Sequence, residues 1–163
     1  MSEKHERDPS PGLGSLVRAA LEGDAREGIT NLLKEIAALT NSFGCVLWRA
    51  TENAKPPNDG ELTMLAAWFQ VERSHFGLNS AKFEGTVTGK AVLEGIAIEN
   101  DLVRSNNPHC NNTFFRQHKL NRVVACRFTF LPRLDEKPRL GAVLIFRRET
   151  DAAYTQADDV PLL

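Results

Sequence analysis

The sequence predicts an α+β fold organised around a central antiparallel sheet, and three observations carry that prediction. Apolar residues repeat at the three-and-four step of a helix up to Leu39 and at the alternate step of a strand from Phe43 onward. The long strand-like runs come in pairs joined by stretches rich in Pro, Asn, Asp and Gly, as hairpins are. No regular strand–helix–strand alternation is present, which argues against parallel crossovers.

The elements follow in order. Residues 1–12, with Pro9, Pro11 and dense charge, are expected to be a disordered tail ahead of a single domain at 13–163. Leu13, Leu16, Val17, Ala20 and Leu21 share one side of a short helix that Gly23 ends. Ile29, Leu32, Leu33, Ile36, Ala37 and Leu39 then form a longer apolar stripe, with Asp24 as N-cap and Asn41-Ser42 as the stop. Phe43–Ala50 and Glu61–Val71 read as a hairpin around TENAKPPNDG, and residues 73–84 as a polar loop. Thr86 caps and Gly95 ends a short helix, and a brief strand, Ile96–Glu99, follows. Residues 100–112 are irregular and rich in Asn. Thr113–Leu120 is expected to be helical, with Phe114, Phe115 and Leu120 facing inward. Arg122–Leu131 and Arg139–Arg148 form the last hairpin, and Thr155 to Asp158 has the spacing of a helix start.

Composition narrows the function classes. The chain has 163 residues, 42% hydrophobic and 25% charged, enough to bury a core without disulfides or metal. No apolar run approaches a membrane span, the first residues lack a signal-peptide core, and three scattered cysteines suit reduced thiols, so a cytoplasmic location is expected. Between Arg104 and Arg148 ten Lys or Arg stand against two acids, whereas elsewhere nineteen acids face ten basic residues. Solvent-facing strand positions account for this more readily than an anion site. Without a recognisable reader or a basic stripe with exposed aromatics, nucleic acid is not an expected partner, nor is a membrane.

The order of elements and four local stretches resemble the GAF domain, a small ligand-binding module of signalling proteins, over about residues 25–160. The stretches are the amphipathic helix before FGCVLWRA; EGTVTGKAVLEGIAIEND with Gly85, Gly89, Ala91, Gly95 and Asp101 in the matching places; RVVACRFTFLPR; and GAVLIFRRETDAAYTQAD with Tyr154, Thr155 and Asp158. The resemblance implies a GAF/PAS-like sheet with the N- and C-terminal helices on one face. On the other, short helices and loops of residues 85–115 would roof a ligand pocket. Gly85 and Gly89 would allow close approach at the start of the roof helix, and Gly141 would let the last strand pack on the opening helix.

Family members differ in what they bind, and each option has a residue test. The branch that reduces free methionine sulfoxide needs a cysteine in the turn read here as Gly85–Gly89, which has none; Cys45 and Cys126 alternate with apolar strand residues, and Cys110 lacks an evident partner. Bilin-binding members place a Cys directly before a His. Here the order is reversed, Pro108-His109-Cys110, and neighbours on a helix point about 100° apart, so no covalent cofactor and no tetrapyrrole is expected. His109, Cys110, His118 and Cys126 fit no compact metal spacing. The charged stretch used by cyclic-nucleotide-binding phosphodiesterases is missing.

The expectation is therefore a non-catalytic sensory or regulatory domain that binds an unidentified small ligand and relays its occupancy through terminal helices, as a homodimer with an attached or interacting output domain. The expected ligand-binding residues are Trp68, Phe83, Asp101, His109, Phe114, Phe115 and Arg127. Pro161 would interrupt the long closing helix of the family, so either the chain is an excised domain or the signal leaves by the N-terminal helices. A dimerisation module acting through residues 13–41 without ligand is the alternative.

Overall fold

The computed structural model describes residues 25–51, 60–72, 79–105, 112–130 and 139–155. The expected helix at 13–22, the hairpin turn at Pro56-Pro57 and Asp59, and the helix start beyond Thr155 lie outside the described residues. In chain order the elements are α1 (Ala25–Leu39), β1 (Gly44–Ala50), β2 (Glu61–Phe69), β3 (Ser80–Lys82), α2 (Val87–Glu94), β4 (Ile96–Glu99), α3 (Thr113–Gln117), β5 (Leu120–Phe130) and β6 (Arg139–Arg148). The six strands form one sheet in the order β3-β2-β1-β6-β5-β4, with every pair antiparallel.

α1 forms where its stripe requires: Leu33, Ile36 and Ala37 are buried, while Asn31, Lys34, Glu35 and Ala38 face solvent. Its end is set by Asn41, in the left-handed region at φ 49, which lets Ser42 N–H reach back to the Ala37 carbonyl at 2.8 Å.

The sheet separates two apolar layers. Against α1 lie Cys45, Leu47, Ala66, Val124, Ile145 and Tyr154; on the opposite, roof-side face lie Val46, Trp48, Leu62, Phe69, Val123, Ala125, Leu144 and Phe146, covered by α2 and α3. Strand alternation produces this sorting. One irregularity makes it work on β2: the register with β1 shifts between Leu47 and Trp48, leaving Leu65 as an extra residue. The shift keeps Leu62 and Met64, before it, on the same face as Ala67 and Phe69, after it.

Three sequence expectations change. The polar loop at 73–84 contains β3, an edge strand with Ala81 buried between exposed Ser80 and Lys82, too short for a visible period. The helix expected over 113–120 stops at Gln117, because Lys119 adopts φ 55 and turns the chain straight into β5 at Leu120. Gly141 serves close approach within the sheet, not toward α1: a β-carbon there would lie 2.7 Å from the ring of Phe128, its partner on β5.

Candidate functional site

The roof begins at Phe83 and turns on two glycines that act for different reasons. Gly85 holds φ 71 with open space around it, a backbone conformation that costs an L side chain energy. Gly89 sits in α2 directly under the Phe83 backbone, where a β-carbon would overlap the Phe83 carbonyl oxygen. Thr86 ties this crossing together: its Oγ1 donates to the Lys82 carbonyl at 2.8 Å and accepts the Gly89 N–H at 2.9 Å. That second bond satisfies one of the open N–H groups at the helix start.

This construction leaves a groove of about 390 Å³ beside α2. Phe83, Val87 and Leu93 supply apolar wall; Glu84, Lys90, Glu94, Glu99 and Ser105 supply polar rim. Val87, Lys90 and Glu94 lie three and four residues apart and so share one helix face. Lys90 Nζ and Glu94 Oε2 are 4.0 Å apart and both well exposed, a pair that contributes little by itself. On the far rim, Glu99 Oε1 accepts the Asp101 N–H at 2.9 Å, and Ser105 Oγ donates to the Leu102 carbonyl at 2.9 Å.

The expected ligand residues separate into distinct places. Phe83 lines the groove. Phe114 and Phe115 are 1% and 5% exposed and fill the space between α3 and the sheet. Phe114 meets Phe69 edge-on at 4.8 Å, and Phe115 lies 5.2 Å from Phe146. Trp68 belongs to the other layer: it is the β2 partner of Cys45 and packs on the α1 face, so the sheet separates it from the roof. Asp101 organises the turn after β4, accepting from Asn121 Nδ2 at 3.3 Å and lying 3.4 Å from Arg104 Nε. Arg127 reaches the end of α2, donating to the carbonyls of Val92 and Leu93 at 3.3 and 3.5 Å. His109 and Cys110 lie outside the described residues, and with them the tetrapyrrole test.

Among the described residues, several basic side chains of the second half are engaged within the fold. Arg147 is buried, its guanidinium donating to the Thr40 carbonyl and lying 4.1 Å over the Tyr154 ring; Arg148 lies 4.5 Å over Phe43; Lys119 pairs with Glu149 at 3.8 Å. Among the described residues no three His, Cys, Asp or Glu side chains gather as metal ligands.

Cys45 is fully buried, and burial pushes its thiol far above the ordinary range, with a smaller push from nearby Cys126 and an opposing backbone hydrogen bond at Val46. Burial raises Cys126 to about 11. Cys45 faces Ile145 of β6 whereas Cys126 faces Val143, so two strand spacings, about 9–10 Å, and a two-residue offset along the strands separate them, too far for a disulfide.

No family model and no curated protein matches the sequence. Solved structures do match in three dimensions. A GAF domain region from Geobacter sulfurreducens superimposes with a TM-score of 0.55 at 16% identity, covering 82% of both chains. The fold is GAF-like. A far-red cyanobacteriochrome photoreceptor gives 0.58 at 10% identity, over 91% of this chain and 87% of the other. The GAF domain of an Acinetobacter phosphoenolpyruvate-protein phosphotransferase gives 0.56 at 11%, over 89% and 80%. Identities this low speak to the GAF-like architecture alone. Among the described residues no helix is long and apolar enough to cross a membrane.

Of the residues that line the groove, the sequence reading named Phe83 and not Val87, Lys90, Glu94 or Glu99. The signal was present in the three-and-four spacing of Val87, Lys90 and Glu94, which places charge on the same helix face as an apolar residue.

Proposed function

We propose that the chain is a non-catalytic sensory or regulatory domain that takes a small organic molecule in the groove beside α2. The groove itself carries the reading: its volume of about 390 Å³ falls in the range of small-molecule pockets. An apolar wall of Phe83, Val87 and Leu93 faced by Lys90, Glu94 and Glu99 suits a ligand with an apolar body and polar ends. A photoreceptor and a phosphotransferase GAF domain of the same architecture support a regulatory role. The two described cysteines support a non-catalytic one, since burial holds both as neutral thiols and suppresses the nucleophilic thiolate. The domain acts in the cytoplasm, with an output partner or attached domain, as a homodimer.

Thermal-shift screening of a metabolite panel, with native mass spectrometry of freshly purified protein, tests the reading. A ligand that raises the Tm of the wild type and not of Ser105→Trp, which fills the groove from an exposed rim position, supports it. The second reading, a ligand-free dimerisation module, rests on Leu39, which is 66% exposed at the end of α1. A ligand-independent dimer that Leu39→Arg dissociates, with no thermal shift across the panel, would replace the sensor reading.

A further inference from the structure

The groove and the segment that leaves the sheet after β6 are joined by one peptide unit. Successive side chains of a strand point to opposite faces. At the end of β4 this sends Glu99 to the roof side, where it lines the groove, while Ile98 and the following Asn100 serve the α1 side. There the Asn100 side chain closes a two-way contact with the backbone of Tyr154: Nδ2 donates to its carbonyl at 3.1 Å, and its N–H donates to Oδ1 at 2.9 Å. An amide carries its donor and its acceptor on separate atoms and so satisfies both backbone groups of a residue at once, as a neighbouring strand would; an ionised aspartate, which has no donor, cannot.

Tyr154 is held from the other side as well. Its hydroxyl lies 2.9 Å from Ser42 Oγ, and the Arg147 guanidinium covers its ring at 4.1 Å while donating to the Ala152 carbonyl at 3.3 Å. The Tyr154 side chain is thus fixed to the end of α1, and its backbone to the groove rim. The rim is a stiff unit in its own right, because Leu102 N–H and Val103 N–H donate to the Asn121 carbonyl and side chain, both at 2.9 Å. Glu99, Asn100 and Asp101 are consecutive, so the groove rim and the contact to Tyr154 share one stretch of backbone.

We propose that Asn100 is a latch through which occupancy of the groove changes the hold on the Asp151–Thr155 segment. The latch rests on the ligand-binding reading for its physiological use. The coupling itself needs no ligand and is tested without one.

Hydrogen exchange of the whole chain measures it. In Asn100→Ala the Tyr154 amide exchanges about tenfold faster, the effect of one or two net hydrogen bonds. The amides of Asp101–Ser105 speed up by about threefold or more, the size of coupling between contacting residues. Ser42→Ala, which loosens Tyr154 from the α1 side, speeds exchange at the rim in the wild type but not in the Asn100→Ala background. Asn100→Asp keeps the acceptor and loses the donor, guards against a folding defect, and gives a smaller change of the same sign at both places. Rim amides unchanged by Asn100→Ala, or equally sensitive to Ser42→Ala in both backgrounds, would overturn the latch even if a ligand is found. A coupled rim with no ligand from the panel would leave the latch standing and remove the sensor reading.

Discussion

Gly89 lies so close beneath Phe83 that the helix carrying one cannot accept a β-carbon without moving the backbone of the other. Since Phe83 and Val87 line the groove, this crossing sets the distance between β3 and α2 and hence the groove's shape. Gly89→Ala is expected to destabilise the fold by about 1–3 kcal/mol, as overpacking against fixed backbone does. Gly85→Ala meets no neighbour and is expected to cost about 1–2 kcal/mol through its positive φ alone. Urea unfolding gives both values. Ligand affinity, where a ligand is identified, should fall for Gly89→Ala, because the crossing it disturbs sets the groove walls.

Arg147 is 7% exposed; its guanidinium donates to the Thr40 and Ala152 carbonyls and lies over the Tyr154 ring. Replacing it with Met would leave the Thr40 carbonyl short of a charged donor, at about 2–3 kcal/mol. Tyr154→Phe removes one hydroxyl from Ser42, which keeps its contact with Thr40 at 2.9 Å, so about 1 kcal/mol is expected. Arg147→Met combined with Tyr154→Leu should cost less than the sum of those two single changes, because each of them removes the stacking contact between the two side chains. Strict additivity in urea unfolding would mean that the stacked geometry contributes nothing.

Most of the sheet was legible because its strands are apolar runs bounded by turn residues; β1 is buried on both faces, with Cys45 and Leu47 on one and Val46 and Trp48 on the other. Helix ends were legible where a capping residue marks them, at Thr86 and Gly95, and illegible at Gln117, where only the φ of Lys119 decides the stop. Placement of single aromatics was the weak point. Trp68 and Phe69 are neighbours in sequence and opposite in face, and the extra residue Leu65 decides which is which. Phe114 and Phe115 were correctly expected to be buried, yet burial does not distinguish a pocket wall from a filled core. The contacts among Asn100, Tyr154, Ser42 and Arg147 were invisible, because they join residues as far as 112 positions apart, and those of Asn100 end on backbone atoms that carry no sequence signature.

Arg127 was expected to face the ligand and is instead exposed at the end of α2, beside Gly95. A cation at a helix C-terminus stabilises by about 0.3–1 kcal/mol, and Arg127→Ala should lose that much. Because Arg127 does not line the groove, the variant should leave ligand affinity within about twofold of wild type, equal to about 0.4 kcal/mol. A loss of tenfold or more in a titration of Arg127→Ala, with the fold intact, would return Arg127 to the site.

The cysteines give a pH dependence whose sign is fixed by burial. An unfolded thiol titrates near 8.5, at about the same place for both residues. In the folded protein Cys126 is raised to about 11 and Cys45 is raised further. Between those limits the unfolded chain has released protons that the folded chain retains, so stability is complete below about pH 8.5 and declines as pH rises toward 11. The decline attributable to Cys126 is at most about 1.4 kcal/mol per pH unit. The measurement is a difference, which cancels every other group: urea midpoints for wild type and Cys126→Ala at pH 8, 9 and 10. The variant should show the shallower decline, with Cys45 sustaining the remainder to higher pH. Parallel pH profiles would mean that Cys126 ionises equally well in both states, and that the packing of Ile96, Val143 and Cys126 against α1's face of the sheet is looser than the structure places it.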